Sequence, residues 1–268
     1  MTASTLSYLA IALYVITWVM ITMRVRSQIK SGQFTRSKNY LAVWVVALIV
    51  HLLVLHYPLL VGKPLSLSFF SLASYVTWFI SLILFITTLA RKIESLAIFV
   101  IPFSILAIIL ELSLGRDNGQ LIDMKSGLGL HIFTSLLAYS LLMLASFQAL
   151  LLAFQNKQLR NHQVSGLMKS LPSLEDMEYL LFRFITIGVV VLSLALLIGF
   201  YYLENLFGSH IAHKTILSII SWFIFTALLL GRWKYGWRGR KAINFTLVGF
   251  AVLMLAFFGT KFVQEFIL

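Results

Sequence analysis

The chain of 268 residues is too apolar for a soluble domain, since 60% of its residues are hydrophobic, 11% are charged and its mean hydropathy is +0.95. Its net charge of +12 favours anchoring to an anionic lipid surface over nucleic-acid binding. Cysteine is absent, which excludes disulfides, iron–sulfur ligation and covalent attachment of a haem to this chain. We therefore expect an integral membrane protein whose partners include the lipid bilayer and no nucleic acid.

Eight apolar runs are each long enough to cross a hydrocarbon core about 30 Å thick as a helix. They cover approximately residues 5–23, 40–60, 67–90, 95–114, 128–154, 179–203, 215–230 and 242–262. Barrel strands would instead show short segments of alternating polarity, which do not recur here. A signal peptide would carry positive charges before its apolar run and a small-residue cleavage pattern after it. In this chain the positive charges follow the first run and no cleavage pattern closes it, so we expect it to remain as a helix. We predict an all-α polytopic membrane protein with eight transmembrane helices in a single domain, residues 1–268.

The positions of lysine and arginine predict the orientation of these helices, because both residues favour cytoplasmic loops. With the N-terminus outside, all but five of the 21 lysines and arginines fall on the inner side. The five exceptions are Lys63, Arg116, Lys125, Lys214 and Lys261. We predict that both termini lie outside, on the periplasmic side of the cell inner (plasma) membrane.

The second run contains His51, about three turns from its outer end, and His56. An ionisable side chain within a membrane helix is costly unless it faces the bundle interior and has a partner. The two histidines are five residues apart, about 140° around a helix, so they cannot easily face one pocket. We expect His51 to be buried and functional, and His56 to lie at the interface.

Two outer segments lead directly into histidines that begin apolar runs. The glycine-rich segment 115–129 precedes His131, and segment 204–214 precedes His213. Two imidazoles at one end of a helix bundle can hold a haem iron from both sides. Several aromatic residues are predicted on the same side, namely Phe69, Phe70, Phe133, Tyr201, Tyr202 and Phe207. Glu111 could accept a proton or orient a histidine, although we expect an ion pair with Arg116.

The sixth run begins after a helix-capping pattern and carries a small-residue surface. Ser173 is the expected N-cap, and Asp176 follows three residues later, where it can reach back. Small residues along the run favour close contact with a neighbouring helix. They are Gly188, Ser193, Ala195 and Gly199.

His210 and His213 are three residues apart, a spacing that also suits a metal ion. A Zn²⁺ or Co²⁺ site would need three or four converging histidines or carboxylates. Carboxylates are predicted near the same surface, but none has a fixed motif spacing to the histidines. They are Glu111, Asp117, Asp123 and Glu204.

Three segments in the second half of the chain resemble a known family. They are LHIFTSLLAYSLL from Leu130, LPSLEDMEYLLFR from Leu171 and HKTILSIISWFIFTALLLGRWKYGWRGRKA from His213. In this order they resemble the membrane proteins of cytochrome c assembly, the CcsA/ResC/CcmC superfamily. The resemblance is closest to its short eight-helix branch of YpjD-like inner-membrane proteins, with a family-like core over residues 129–268.

The resemblance implies haem handling on the outer face. In the family, a histidine before the helix that matches residues 130–154 is an external haem ligand, and His131 stands at that position. Larger members also carry a tryptophan-rich outer segment ending in Trp-Asp-Pro-Lys. Segment 204–214 of this chain has no tryptophan and no such tetrad, so the role of His213 as second ligand rests on its position alone.

We therefore predict non-covalent haem b with its iron held by His131 and His213. His51 and His210 are further candidates for cofactor binding. The protein would serve cytochrome maturation or haem trafficking, beside another membrane protein of that process, without turnover chemistry of its own. Two alternatives remain: a divalent-cation transport or regulatory component, and a membrane scaffold on the same fold that binds no haem.

Overall fold

The computed structural model describes residues 2–31, 39–62, 65–91, 93–115, 120–122, 127–161, 171–202 and 212–259. Nearly all of this part is helical. The helices are α1 (Ala3–Ser31), α2 (Asn39–Leu55), α3 (Tyr57–Leu60), α4 (Phe69–Ala90), α5 (Glu94–Leu114), α6 (Gly127–Arg160), α7 (Leu174–Tyr202), α8 (Ala212–Tyr235) and α9 (Arg240–Met254), with a π-helical turn at Leu255–Gly259. Two short strands, β1 (Leu65–Leu67) and β2 (Gln120–Ile122), pair with each other.

Seven of these helices are long and apolar enough to cross a membrane, which makes the chain a multi-pass membrane protein of the predicted helical class. The exception among the predicted spans is α2, which has 17 residues. At 1.5 Å per residue it is about 25 Å long, less than the hydrocarbon thickness. The predicted run 40–60 is divided at His56, because Pro58 lacks the N–H that would continue α2 and lies in the first turn of the separate short helix α3. The eighth span therefore stays a prediction.

The start of α7 confirms the predicted capping pattern. The backbone N–H of Asp176 donates to Ser173 Oγ at 3.1 Å, and the Ser173 hydroxyl donates to Asp176 Oδ2 at 2.7 Å. The helix begins at Leu174, five residues before the predicted apolar run. Its first turn carries Glu175 and Asp176, which are not apolar and therefore fall outside the predicted run. The positive end of the helix stabilises both carboxylates.

The chain divides into two compact units. The first bundle comprises residues 1–121 and 162–172, and the second bundle comprises residues 122–161 and 173–268. In the first bundle α1 contacts α2, α2 contacts α4, α4 contacts α5, and α5 contacts α1 again. The four long helices therefore form a closed ring, so each presents one side to a shared core.

A proline in α5 supplies one of the contacts that close the first bundle. Pro102 lies inside the helix and has no N–H, so the carbonyl of Ile98, four residues earlier, lacks its usual helical donor. The indole Nε1–H of Trp18 on α1 donates to this carbonyl at 2.9 Å. Since lipid offers no hydrogen bonds, a side chain from the neighbouring helix takes the place of the missing amide.

The second bundle is also a ring. Helix α6 contacts α7 and α9, and α8 contacts the same two helices, so α6 and α8 lie across the ring from each other. The small-residue surface predicted on α7 is where α6 packs: a Cβ at Gly188 would lie 2.7 Å from Leu142 Cδ2. Gly188, Ala195 and Gly199 are buried, which confirms this prediction, whereas Ser193 accepts a hydrogen bond from Trp222 Nε1 on α8 at 2.7 Å.

Charged side chains meet at the end of the second bundle where α7 begins. Glu178 Oε1 accepts from Arg238 Nε at 2.8 Å and lies 3.6 Å from Arg232 Nη1. The Arg232 guanidinium is 3.5 Å from the centre of the Phe182 ring, a cation–π contact. A cavity of about 560 Å³ opens beside this cluster. It is lined by Leu152, Asn156, Leu174, Glu175, Glu178, Arg238 and Gly239.

Candidate functional site

His131 is the fifth residue of α6, and its imidazole lies against α7. A Cβ added at Gly199 would be 2.8 Å from His131 Cε1 and 3.0 Å from Nδ1, so only glycine leaves room for the ring. His131 Nδ1 is 2.9 Å from the carbonyl oxygen of Ala195. Two positions of the small-residue surface, one turn apart, thus hold the histidine in place.

The hydrogen bond to Ala195 determines which ring nitrogen of His131 carries a proton. A carbonyl oxygen can only accept, so Nδ1 bears the hydrogen and the neutral ring keeps its lone pair on Nε2. Within the described residues, Nε2 makes no hydrogen bond. Histidines that bind metals in proteins are oriented in this way, with one N–H given to a carbonyl and the other nitrogen directed to the metal.

Two tyrosines lie near His131 at the end of α7, where Tyr201 is 81% exposed and Tyr202 is 51% exposed. Phe133 is about half exposed, but it follows His131 by two residues and so faces away from it, about 160° around α6. The Tyr202 ring packs on Gly127 at the start of α6 and meets the Tyr201 ring edge-on, with centroids 4.9 Å apart. A flat apolar ligand could cover this surface while a polar edge reaches water.

His213 lies at the same end of the second bundle as His131. It is the second residue of α8 and is exposed. Both α6 and α8 run antiparallel to α7, so their first turns share one end. For α6 this follows from the contacts of Gly127 with Tyr202 and Leu142 with Gly188, and for α8 from those of Trp222 with Ser193 and Arg232 with Phe182. Within the described residues no contact joins the two histidines, and their pairing at one iron stays a prediction. His210 lies outside the described residues.

His51 is fully buried in the first bundle, as predicted, but both of its ring nitrogens have hydrogen-bond partners. Nδ1 is 3.2 Å from the Tyr14 hydroxyl, and Nε2 is 3.0 Å from Ser74 Oγ. The Tyr14 ring also meets the imidazole edge-on, with centroids 5.6 Å apart. Iron binding by His51 stays a prediction, and it would require one of these hydrogen bonds to be given up. His56 is partly exposed at the end of α2, with Nδ1 3.1 Å from the Leu52 carbonyl.

Sequence reasoning missed the hydrogen-bond partners of both imidazoles, the buried one of His51 and the partly buried one of His131. Tyr14 and Ser74 lie in apolar runs on different helices, and nothing in their spacing relates them to His51. Ala195 acts through its backbone carbonyl, which no side-chain pattern reports. The one available signal was the small-residue surface containing Ala195 and Gly199, since a bulky ring on the facing helix needs such a surface.

The alternative metal site gains no support from the part of the chain that the structure describes. There, no three or more histidine, cysteine, aspartate or glutamate side chains come together as a group that could hold a metal ion. Three of the carboxylates considered for such a site, Asp117, Asp123 and Glu204, lie outside the described residues, as does Arg116, the expected partner of Glu111.

Comparison with known proteins agrees with the resemblance of the three segments. The family model of the Cytochrome C assembly protein matches residues 40–268. The inner membrane protein YpjD of Escherichia coli strain K12 is 32% identical over 225 residues, covering 83% of this chain and 85% of that protein.

Two further relatives match about half of their length and half of this chain. The cytochrome c biogenesis protein CcsA of Prochlorococcus marinus strain MIT 9301 is 28% identical over 159 residues, 52% of each chain. An uncharacterised 28.8 kDa protein of Azospirillum brasilense is 31% identical over 141 residues, again 52% of each. No solved structure matches the chain.

Proposed function

Because the chain belongs to the cytochrome c assembly protein family, we propose that it handles haem at the outer face of the cell inner membrane. In this proposal haem b is held without a covalent bond, with His131 as the principal ligand to its iron. The protein passes haem to, or holds it for, another membrane protein of cytochrome maturation, and it performs no turnover chemistry of its own.

The observation that carries the proposal is the geometry of His131. Its Nδ1–H is given to Ala195, its Nε2 lone pair is available, and Gly199 provides the space that the ring needs. These are the features of a histidine prepared for a metal rather than one satisfied within a core. The exposed aromatic surface beside it fits the large apolar face of a porphyrin.

His213 is the residue we propose would hold the haem iron together with His131. It begins α8 at the same end of the second bundle, and its exposed side chain is accessible from there. A haem held by the two histidines would supply an iron centre that can exchange electrons. The residues of this chain would bind the group, fix the imidazole of His131 and shield one face from water.

The proposed location follows from the name of the bacterial relative and from the charge pattern. YpjD is named as an inner membrane protein. Lysine and arginine favour the cytoplasmic side. We propose eight spans with both termini outside, in which the Glu178 cluster with Arg232 and Arg238 is cytoplasmic. Since the chain has no cysteine, single cysteines introduced at Thr2 and Lys241 and labelled from outside intact spheroplasts would test this orientation. Labelling of Thr2→Cys but not Lys241→Cys is expected.

Haem binding is tested by absorption spectroscopy on the protein purified after haem-replete expression. A Soret band is expected in the wild type, with loss of the band in His131→Ala and a weakened, shifted band in His213→Ala. His56→Ala is the matched control, because it removes a histidine of the first bundle outside the proposed site. A colourless wild-type protein that also binds no added hemin would reject the proposal.

A further inference from the structure

A line of buried polar side chains runs through the interior of the first bundle. The Trp44 indole Nε1–H donates to Ser81 Oγ at 2.9 Å, and Ser81 lies beside the Tyr14 hydroxyl. Tyr14 is hydrogen-bonded to one nitrogen of His51 at 3.2 Å, and Ser74 to the other at 3.0 Å. All five side chains are 0% exposed. Such a connected series across three helices is unusual in an apolar core, where unpaired polar groups are costly.

The line ends at a carboxyl group. Ser74 lies beside the side chain of Glu111, which stands in the last turn of α5 and is partly exposed. Glu111 Oε2 is nevertheless buried, and it has no hydrogen-bond partner among the described residues. Tyr75 is close to the carboxyl group, but its hydroxyl donates to the Leu55 carbonyl at 3.2 Å. One carboxyl oxygen is therefore left without the donor that a buried carboxylate needs.

The two ends of the line determine the direction of its hydrogen bonds. An indole N–H can only donate, and an ionised carboxylate can only accept. The intermediate groups can do both, and neighbouring groups run from Trp44 through Ser81, Tyr14, His51 and Ser74 to Glu111, with the Trp44–Ser81, Tyr14–His51 and His51–Ser74 pairs within hydrogen-bond distance. In this direction Tyr14 donates to His51 Nδ1, and His51 carries its proton on Nε2. This is the opposite tautomer to that of His131.

We propose that Glu111 is a proton-binding site, coupled through Ser74 to the buried imidazole of His51. A proton from the adjoining aqueous phase joins the carboxylate to give the neutral acid, and no other bond is made or broken. Protonation removes the negative charge of a buried carboxyl group whose Oε2 has no donor among the described residues, and with it the cost of burying that charge without a partner. That this aqueous phase is the outer one rests on the orientation proposed above, and the rest of the proposal does not depend on that orientation.

The chemistry of the site favours a proton over a metal cation. Among the residues that the structure describes, the groups that face Glu111 are Ser74 and Tyr75 on α4, with His51 on α2 and Tyr14 on α1 behind Ser74. A sodium or calcium ion would need several more oxygen ligands than one carboxylate and one hydroxyl can supply. Within the described residues no cluster suited to a metal ion includes Glu111.

The first test is infrared difference spectroscopy of the full-length protein in lipid nanodiscs, titrated from alkaline to acidic pH. We expect a carbonyl band of a protonated, poorly hydrated carboxylic acid that is lost in Glu111→Gln. In Ser74→Ala the same band is expected at a shifted frequency, because its hydrogen bond is gone. Glu178→Gln is the matched control, since this glutamate belongs to the second bundle and is ion-paired with Arg238, so its loss should leave the band unchanged.

Three outcomes of that titration would overturn the proposal. They are a band that persists in Glu111→Gln, no protonated-acid band at all, and a band that appears only when sodium is replaced by choline, which would indicate a cation site. If Glu111→Gln does not fold, Glu111→Asp serves instead, with a displaced rather than absent band. Nanodiscs expose both membrane faces, and Glu111 belongs to the first bundle whereas His131 and His213 belong to the second, so the result is independent of the proposed haem function and orientation.

The second test concerns the direction of the line. Nitrogen-15 NMR of histidine-labelled protein reports which ring nitrogen carries hydrogen, and the His51 signals are identified by their loss in His51→Gln. We expect the Nε2–H form for His51 and the Nδ1–H form for His131. In Tyr14→Phe the His51 Nδ1 signal should shift, because its donor is removed. An Nδ1–H tautomer at His51 would contradict the proposed direction and with it the coupling to Glu111.

Discussion

The imidazole of His131 occupies the space that a side chain at Gly199 would fill. The ring of one helix and the bare α-carbon of the next are in direct contact, and the Ala195 carbonyl one turn away accepts the Nδ1 proton. A metal-binding histidine usually depends on such an outer contact for both its orientation and its tautomer. Gly199 is therefore expected to matter to haem binding although it has no side chain.

Gly199→Ala should weaken haem binding by about tenfold, the lower end of the effect of removing an outer contact of a metal-binding histidine. The added methyl group would lie 2.8 Å from His131 Cε1, so the ring must move and lose its contact with Ala195. Hemin titration of purified protein measures the change. Gly188→Ala is the control, because it creates a similar clash with Leu142, 2.7 Å away, outside the proposed site. Equal hemin affinity in Gly199→Ala and wild type would refute this role.

Trp18→Phe should destabilise the first bundle by about 1–3 kcal/mol, the cost of a buried carbonyl left without a donor. The indole of Trp18 supplies the hydrogen bond to Ile98 that Pro102 cannot. Pro102→Ala restores a backbone N–H at that position, so Trp18→Phe should cost less in that background. Unfolding in a denaturing detergent titration gives both values, and strictly additive effects would contradict the explanation.

Arg232→Ala should lower the melting temperature more than Arg238→Ala. The Arg232 side chain is 32% exposed and packs on Phe182, whereas that of Arg238 is 61% exposed, and exposed ion pairs contribute little. The pair with Glu178 raises the pKa of Arg238, so that guanidinium stays charged throughout the accessible pH range. Salt should reduce the effect of Arg238→Ala but not that of Arg232→Ala. The reverse order of melting temperatures would be inconsistent with this arrangement.

Ser173→Ala should destabilise the start of α7 by about 1 kcal/mol, the typical cost of removing an N-cap. The Ser173 side chain accepts from the Asp176 N–H at 3.1 Å. Hydrogen exchange of the first turn of α7 should therefore increase in Ser173→Ala. Ser173→Asp keeps an acceptor and should restore protection, and unchanged exchange in both variants would show that the cap is unimportant.

The helices could be predicted from the sequence because each span is a local property of about 20 residues. The capping pattern at Ser173 and the small-residue surface around Gly188 were equally local, and both are confirmed. The division of the second predicted run shows the limit. Hydropathy continues through Pro58, but this proline has no N–H to continue the helix, so α2 ends at Leu55 and is shorter than the apolar run.

The environments of the histidines could not be predicted in the same way. The sequence indicates that His51 is buried and that His131 begins a helix, but the tautomer of each depends on a residue from another helix. For His131 this residue is Ala195, 64 positions away, and for His51 it includes Tyr14, 37 positions away. Such partners follow from which helices are neighbours, and the pattern of apolar residues does not contain that information.

The closed ring of the first bundle has a consequence for synthesis of the chain. The hydrogen bonds described for Trp18, Trp44 and His51 all join residues that precede the end of α5 at Leu114. A ribosome that has delivered those residues to the membrane has supplied every partner these groups use, before any of α6 exists. Because domains fold as they emerge, the buried polar groups of the first half can form their hydrogen bonds in the membrane before the second half is synthesised.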